Sequence, residues 1–196
     1  MDDRTALRAA LLQRRRALGD DEVERASRAL ALHVRASAAW QRARVVAAFY
    51  GVRREPHTAP LLDLAIADGK ALWLPVVRDH GLVFARVQST DELVAAGFGL
   101  REPVAPAGAP SLGALAPALV LVPGLAFGKS GARIGFGRGH YDRALAPLRN
   151  DAECVRMGVC FASFLDPPEG VIPMDDHDVP MHHVATELGI IDCNPQ

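Results

Sequence analysis

Leu7, Leu11 and Leu18 recur on a rough helical period, and the pattern predicts a helix over 3–18 with Arg4 and Arg8 one turn apart on it. A second helix is predicted over 21–36, because the acidic start of that stretch suits the positive end of a helix. The pattern then changes. Residues 44–50, RVVAAFY, are β-branched and aromatic and predict a buried strand. Thr58 is placed to cap a helix over 59–68, with Pro60 in the first turn and Gly69 ending it. ALWLPVV (71–77) and LVFARV (82–87) read as strands joined by the polar turn RDHG, and DELVAA (91–96) as a short helix. Four prolines between 103 and 117 mark a loop rather than a domain linker, since strand-like segments flank it. ALVLVP (118–123) is apolar throughout, as expected of a strand buried on both faces. YDRALAPL (141–148) is helical until Pro147, ECVRMGVC (153–160) is another strand, and VATELGIID (184–192) contains a last short one.

Strands separated by helices predict a three-layer α/β/α sandwich around a largely parallel, mixed sheet. In such folds ligands collect at the carboxyl ends of the strands. The length, 196 residues, suits one domain over 1–196, with the helices at 3–18 and 21–36 packed on the α/β core.

Composition narrows the class. No apolar run reaches the length of a membrane span, and the charged N-terminus lacks the apolar core of a signal peptide. Cys154, Cys160 and Cys193 lack CxxC spacing and fit a reducing cytoplasm better than a disulfide scaffold or a structural zinc site. Net charge is −1 but uneven: residues 1–54 carry a net +6 and residues 151–196 a net −8. Such asymmetry can mark a nucleic-acid partner. Here aromatic residues make up only 6% of the chain and do not interleave with the basic ones, so no nucleic acid is expected.

The candidate chemistry concentrates in 123–143, PGLAFGKSGARIGFGRGHYDR. Gly124 to Ser130 resembles a Walker A loop but has three residues between its glycines where four are needed. Gly135 to His140 resembles a dinucleotide fingerprint whose last glycine is His. Five glycines within 128–139 can turn backbone N–H groups toward an anion, and Arg133 and Arg138 can grip phosphate oxygens. Asp142, in the first turn of the next helix, suits Mg²⁺ beside a polyphosphate. Arg4 and Arg8 could reach the same polyphosphate from one helix face. Glu55, held extended before Pro56, can accept paired hydrogen bonds from an amino-pyrimidinone edge. In DDHDVPMHH (175–183) no metal template is matched, and Asp178 is the best candidate there for touching Mg²⁺. There is no G-x-S-x-G, and no cysteine has a basic neighbour that would activate it.

These pieces together resemble the 5-formyltetrahydrofolate cyclo-ligase family. The resemblance rests on R-x-x-L-R followed by RRRAL, E-x-x-T at 55–58, LPVV at 74–77, GFGLREP at 97–103, the 123–143 block, MGVCFAS, His177-Asp178 and V-x-T-E at 184–187. It implies the fold of sugar-phosphate isomerases and CoA transferases. It also implies conversion of 5-formyltetrahydrofolate to 5,10-methenyltetrahydrofolate with ATP and Mg²⁺. In that reaction the formyl oxygen attacks the γ-phosphate, N10 closes the ring, and phosphate leaves. By position it implies ATP contacts from Arg4, Arg8 and Arg133, Ile134, Gly135, Phe136, Gly137, Arg138, Gly139, His140 and Tyr141. Arg133, Arg138 and Tyr141 would be the catalytic groups. Tyr50, Glu55, Phe98, His140 and Tyr141 would meet folate, and Asp142 and Asp178 would hold the metal. His140 stands where the family usually has a tyrosine, and Pro56-His57 replaces an aliphatic–acid pair; both departures are expected near the folate pocket. The expected partners are small molecules only, with no membrane, and the expected assembly is a monomer or a weak homodimer in the cytoplasm. Two readings stand beside this one: a homologue that binds both ligands without turnover, and an isomerase- or transferase-like enzyme of the same fold.

Overall fold

A computed structural model of the chain describes residues 3–78, 81–97 and 99–194. Helix α1 (Asp3–Arg16) buries Leu7, Leu11 and Arg15, and α2 (Asp20–Ala36) buries Val23, Ser27, Leu30, Ala31 and Val34, each set on one helical stripe. A short α3 (Ala38–Arg42) leads into β1 (Val45–Ala47). Then follow α4 (Ala59–Ala67), β2 (Ala71–Arg78) and β3 (Gly81–Val87). The small ribbon β4 (Val94–Ala95) and β5 (Arg101–Glu102) precedes α5 (Leu112–Leu115) and β6 (Leu119–Pro123). A hairpin of β7 (Ala126–Phe127) and β8 (Arg133–Ile134) leads to α6 (His140–Leu145). The chain ends through β9 (Val155–Val159), β10 (His183–Thr186) and β11 (Gly189–Asp192).

Seven strands form one sheet in the order β11-β10-β9-β6-β1-β2-β3. The five inner strands run parallel, and only the outer pairs β2/β3 and β10/β11 are antiparallel. Successive residues of β6 explain the layers. Leu119 and Leu121 pack with Trp40, Leu61 and Leu62 of α3 and α4 on one face. Val120 and Val122 pack with Leu7, Leu11, Leu112 and Leu145 of α1, α5 and α6 on the other. A strand covered on both faces must be apolar at every position, and β6 is.

The strand order reverses between β1 and β6, because from β1 the chain builds outward to β2 and from β6 outward to β9. The loops leaving the carboxyl ends of these two strands diverge there and leave a crevice. Phe127 packs against Gly124, just past β6, and against Gly158 of β9. A Cβ on Gly158 would lie 2.5 Å from its ring and a Cβ on Gly124 2.7 Å, so both glycines make room for a fully buried aromatic.

Four expectations are corrected. Residues 91–96 are not a helix: a 3-10 turn at Thr90–Glu92 gives way to β4, which pairs with β5. The proline-rich loop contains a turn of helix, α5. The last segment is a hairpin of two strands, β10 and β11, and not a single strand. Thr58 stands at the start of α4 but makes no side-chain cap. Its hydroxyl donates to the Phe49 carbonyl at 2.6 Å and accepts from the Gly51 N–H at 2.9 Å.

The uneven charge is also accounted for. Arg4 pairs with Asp175 and Asp178, at 3.1 and 2.8 Å, and Arg14 with Glu169 at 3.0 Å. The basic N-terminal helix therefore faces acidic residues of the C-terminal segment. Among the described residues no helix is long and apolar enough to cross a membrane.

Candidate active site

A cavity of about 610 Å³ opens at the carboxyl ends of β1, β2 and β6, where Tyr50, Val77 and Pro123 line it. That volume lies in the range of small-molecule sites. Every residue singled out for a site lines this one cavity except Phe98, which lies outside the described residues. The cavity has two chemically distinct parts.

One part is mainly apolar around one buried acid, with Arg53 beside that acid. Phe49, Tyr50, Leu74, Val77, Leu82 and Leu100 line it, and Glu55 is 5% exposed. The loop that delivers Glu55 is built locally. Thr58 ties back to residues 49 and 51, and Arg53 and Arg54 adopt left-handed backbone at φ 51° and 62°. Non-glycine residues there cost on the order of 1 kcal/mol or more each, a strain held by the surrounding bonds. Glu55 then accepts from the Val52 N–H at 3.1 Å with Oε2 and faces the Arg15 guanidinium at 3.4 Å with Oε1. Burial raises the Glu55 carboxyl above its ordinary value, and the Arg15 charge offsets only part of that.

The other part is cationic. Arg8 donates to the Gly135 carbonyl at 3.1 Å. Arg133 is paired with Asp142, reaches the Pro123 carbonyl at 3.4 Å, and lies 5.9 Å from the Tyr141 ring centre. The glycines here seat arginines. A Cβ on Gly135 would lie 2.8 Å from Arg133 Nη1, and one on Gly137 3.3 Å from Arg8 Cζ. Tyr141 places a buried hydroxyl in this region with no partner among the described residues. A buried hydroxyl without a partner costs about 1–3 kcal/mol, so it is poised for a ligand oxygen. Burial, with the Glu55 charge, pushes its pKa up, and it stays a protonated donor at neutral pH.

A family model for 5-formyltetrahydrofolate cyclo-ligases matches residues 1–187. The chain belongs to the 5-formyltetrahydrofolate cyclo-ligase family. It is 37% identical to the 5-formyltetrahydrofolate cyclo-ligase of Mycolicibacterium smegmatis, over 96% of each chain. It is 28% identical to the mouse enzyme of that name, over 92% of each. The solved structure of Aquifex aeolicus 5,10-methenyltetrahydrofolate synthetase superposes with a TM-score of 0.79 at 26% identity, covering 97% of this chain and 92% of that one. The Mycoplasma pneumoniae 5,10-methenyltetrahydrofolate synthetase shares the fold, with a TM-score of 0.70 at 19% identity over 95% of this chain and 99% of that one.

In this cyclo-ligase family member one feature differs from expectation. His57 lies outside the cavity: its ring meets Glu24 at 3.2 Å and its N–H bonds Ser27 at 2.8 Å, both on α2. His140 does line the cavity, but partial burial with Arg143 and Arg138 holds its pKa below the usual value, so it is neutral at neutral pH. Lys129, from the Walker-like stretch, is exposed in the hairpin turn, 3.4 Å from Asp166. The composition of the arginine part suits Mg²⁺, which takes one or two carboxylates together with phosphate and water oxygens. Asp142 and Asp178 are the carboxylates there, each paired with an arginine. Among the described residues no three His, Cys, Asp or Glu side chains gather as a self-sufficient metal site.

Sequence reasoning missed Arg15 and Arg53. Arg53 lines the cavity beside Glu55, and Arg15 stands behind Glu55. The signal for Arg15 was its spacing, four residues beyond Leu11 on the buried stripe of α1. Thr58→Val keeps the shape of the side chain and removes both hydrogen bonds, so urea denaturation should show a loss of about 1–3 kcal/mol. An unchanged midpoint would show that the loop is held by other means.

Proposed function

We propose that this chain is an ATP-dependent cyclo-ligase that converts 5-formyltetrahydrofolate to 5,10-methenyltetrahydrofolate, releasing ADP and phosphate. One observation carries the reading: a single cavity holds an arginine-rich part beside an apolar part with one buried carboxylate. The first suits a polyphosphate, and the second suits a planar heterocycle with an amino edge.

Each residue then has a task. Arg4 and Arg8 hold the outer phosphates from α1. Arg133 and Arg138 spread the charge that develops on the phosphoryl group during transfer. The chain from Ile134 to Gly139 lies against the nucleotide, with Phe136 offering a half-exposed aromatic face. Asp142 and Asp178 are the residues that would hold Mg²⁺, which neutralises phosphate charge when bound. The Tyr141 hydroxyl donates to an oxygen at the meeting point of the two substrates. Glu55 accepts from the pterin's amino edge; each carboxylate oxygen has a second lone pair beyond the contacts it makes within the protein. Tyr50, Phe98 and His140 complete the folate side. The work is positioning and charge stabilisation, so no protein nucleophile is required. The cysteines agree: Cys154 and Cys160 are buried, and burial pushes the Cys154 thiol up to about 11. The proposed setting is the cytoplasm, with the chain acting as a monomer on small molecules.

Turnover tests the reading directly. With ATP and Mg²⁺ the protein should form methenyltetrahydrofolate, followed by its absorbance, and ADP should appear in equal amount. Product without ATP would favour an isomerase- or transferase-like enzyme. Binding of both ligands with no product would favour a homologue without turnover. A second prediction concerns the division of the cavity. Arg133→Ala should weaken nucleotide binding by about 10-fold or more while changing folate binding far less, since a hydrogen bond to a charged group is worth about 1.5–3 kcal/mol. Equal losses in calorimetry would reject that division.

A further inference from the structure

Arg15 is 3% exposed and does not line the cavity, whereas Glu55 does. Its Nη2 donates to the Gly124 carbonyl at 2.5 Å and to the Leu125 carbonyl at 3.0 Å, just past β6. Its Nη1 reaches Glu55 Oε1 at 3.4 Å, and its guanidinium lies 5.4 Å from the Phe164 ring centre. One buried cation thus joins α1, the end of the central strand and the loop that carries the cavity's buried acid. A buried arginine is costly, and tying down two carbonyls does not require a full charge.

We propose that Arg15 is a positioning residue for substrate binding: from behind the cavity wall it fixes the charge and the aim of the Glu55 carboxylate. The inference rests on the reading of Glu55 as the group that meets the pterin's amino edge. Paired hydrogen bonds from an amino group and a ring N–H need two acceptor oxygens. A protonated carboxyl turns one of them into a donor and loses the pair.

The groups around Glu55 leave Arg15 as its principal countercharge. Arg53 from the same loop adds a weaker favourable charge. From α6 comes Tyr141, which stays protonated, with Arg133 near its ring. Cys160, after β9, faces Arg15 and is a neutral thiol, because burial pushes it up. Burial favours the protonated form of Glu55, and Arg15 is the largest influence opposing it. Removing the charge of Arg15 therefore shifts Glu55 toward the neutral acid at neutral pH. The loss is reversed by base, because the carboxylate returns once pH rises above the new pKa. A purely structural role, in which Arg15 only ties α1 to residues 124 and 125, predicts no such pH dependence.

The test compares Arg15→Gln, which keeps an amide donor and removes the charge, with Arg15→Lys, which keeps the charge. Affinity for 5-formyltetrahydrofolate is measured by calorimetry from about pH 6 to about pH 9, with ATP binding as a control. Arg15→Gln should bind folate about 10- to 100-fold more weakly at neutral pH, as expected for lost bonds to a charged group, and recover in base. Arg15→Lys should keep the wild-type pH profile, and ATP affinity should stay within about twofold. Unchanged folate affinity in Arg15→Gln, or a loss equal at every pH, overturns the proposal. A second arm needs no substrate and no folded variant at position 15. Carboxyl ¹³C NMR of the wild-type protein, with Glu55→Gln to assign the signal, should find Glu55 ionised at neutral pH; a protonated Glu55 overturns the proposal. If the wild-type chain binds no 5-formyltetrahydrofolate, the functional reading fails, and the NMR arm still judges whether Glu55 is the carboxylate that the proposal requires.

Discussion

The docking of α1 is the constraint on which the cavity depends. Leu7, Leu11 and Arg15 form its buried stripe, and Arg15 anchors the far end by bonds to the carbonyls of residues 124 and 125. Arg4 and Arg8 continue the same stripe toward the start of the helix, at the i, i+4 spacing, and both line the cavity. One helix thus brings two arginines to the cationic part and, through Arg15, meets the buried Glu55 carboxyl of the apolar part. The strand order adds the rest, because its reversal between β1 and β6 sends the loop carrying Glu55 and the loop carrying Arg133 apart from adjacent strand ends.

The cationic part is partly balanced internally. Arg4 rests on Asp178 and Arg133 on Asp142, while Asp178 also accepts the Asp175 N–H at 2.8 Å. In the proposed reaction a bound polyphosphate would exchange these partners: the arginines would turn to phosphate, and Asp142 and Asp178 would be the residues to hold the metal. Exchange of one charged partner for another avoids stranding a charge in a partly buried site, which is the expensive alternative. The glycines at 135 and 137 serve the same end by letting the arginines lie against the loop backbone.

Much of this was legible in the chain. β6 was visible because a strand buried on both faces has no polar position to confuse its reading. The stretch 133–142 was visible because glycines, arginines and an acid recur there at close spacing. What stayed hidden depended on partners distant in sequence. Val94 and Ala95 look helical until Arg101 and Glu102 are there to pair with them. Thr58 looks like a cap, but its hydroxyl reaches a carbonyl nine residues back and stabilises the loop carrying Glu55. Arg15 was masked by the run Arg14-Arg15-Arg16, which reads as a solvated charge cluster, although its position on the Leu7–Leu11 stripe already assigned it to the interior.

In the proposed reaction both substrates occupy one cavity at the same time, side by side. Calorimetric titration of 5-formyltetrahydrofolate into protein saturated with Mg²⁺ and a non-hydrolysable ATP analogue tests it most directly. A ternary complex is expected, with one folate bound per chain and no displacement of the nucleotide. Mutual exclusion of the two ligands would contradict it.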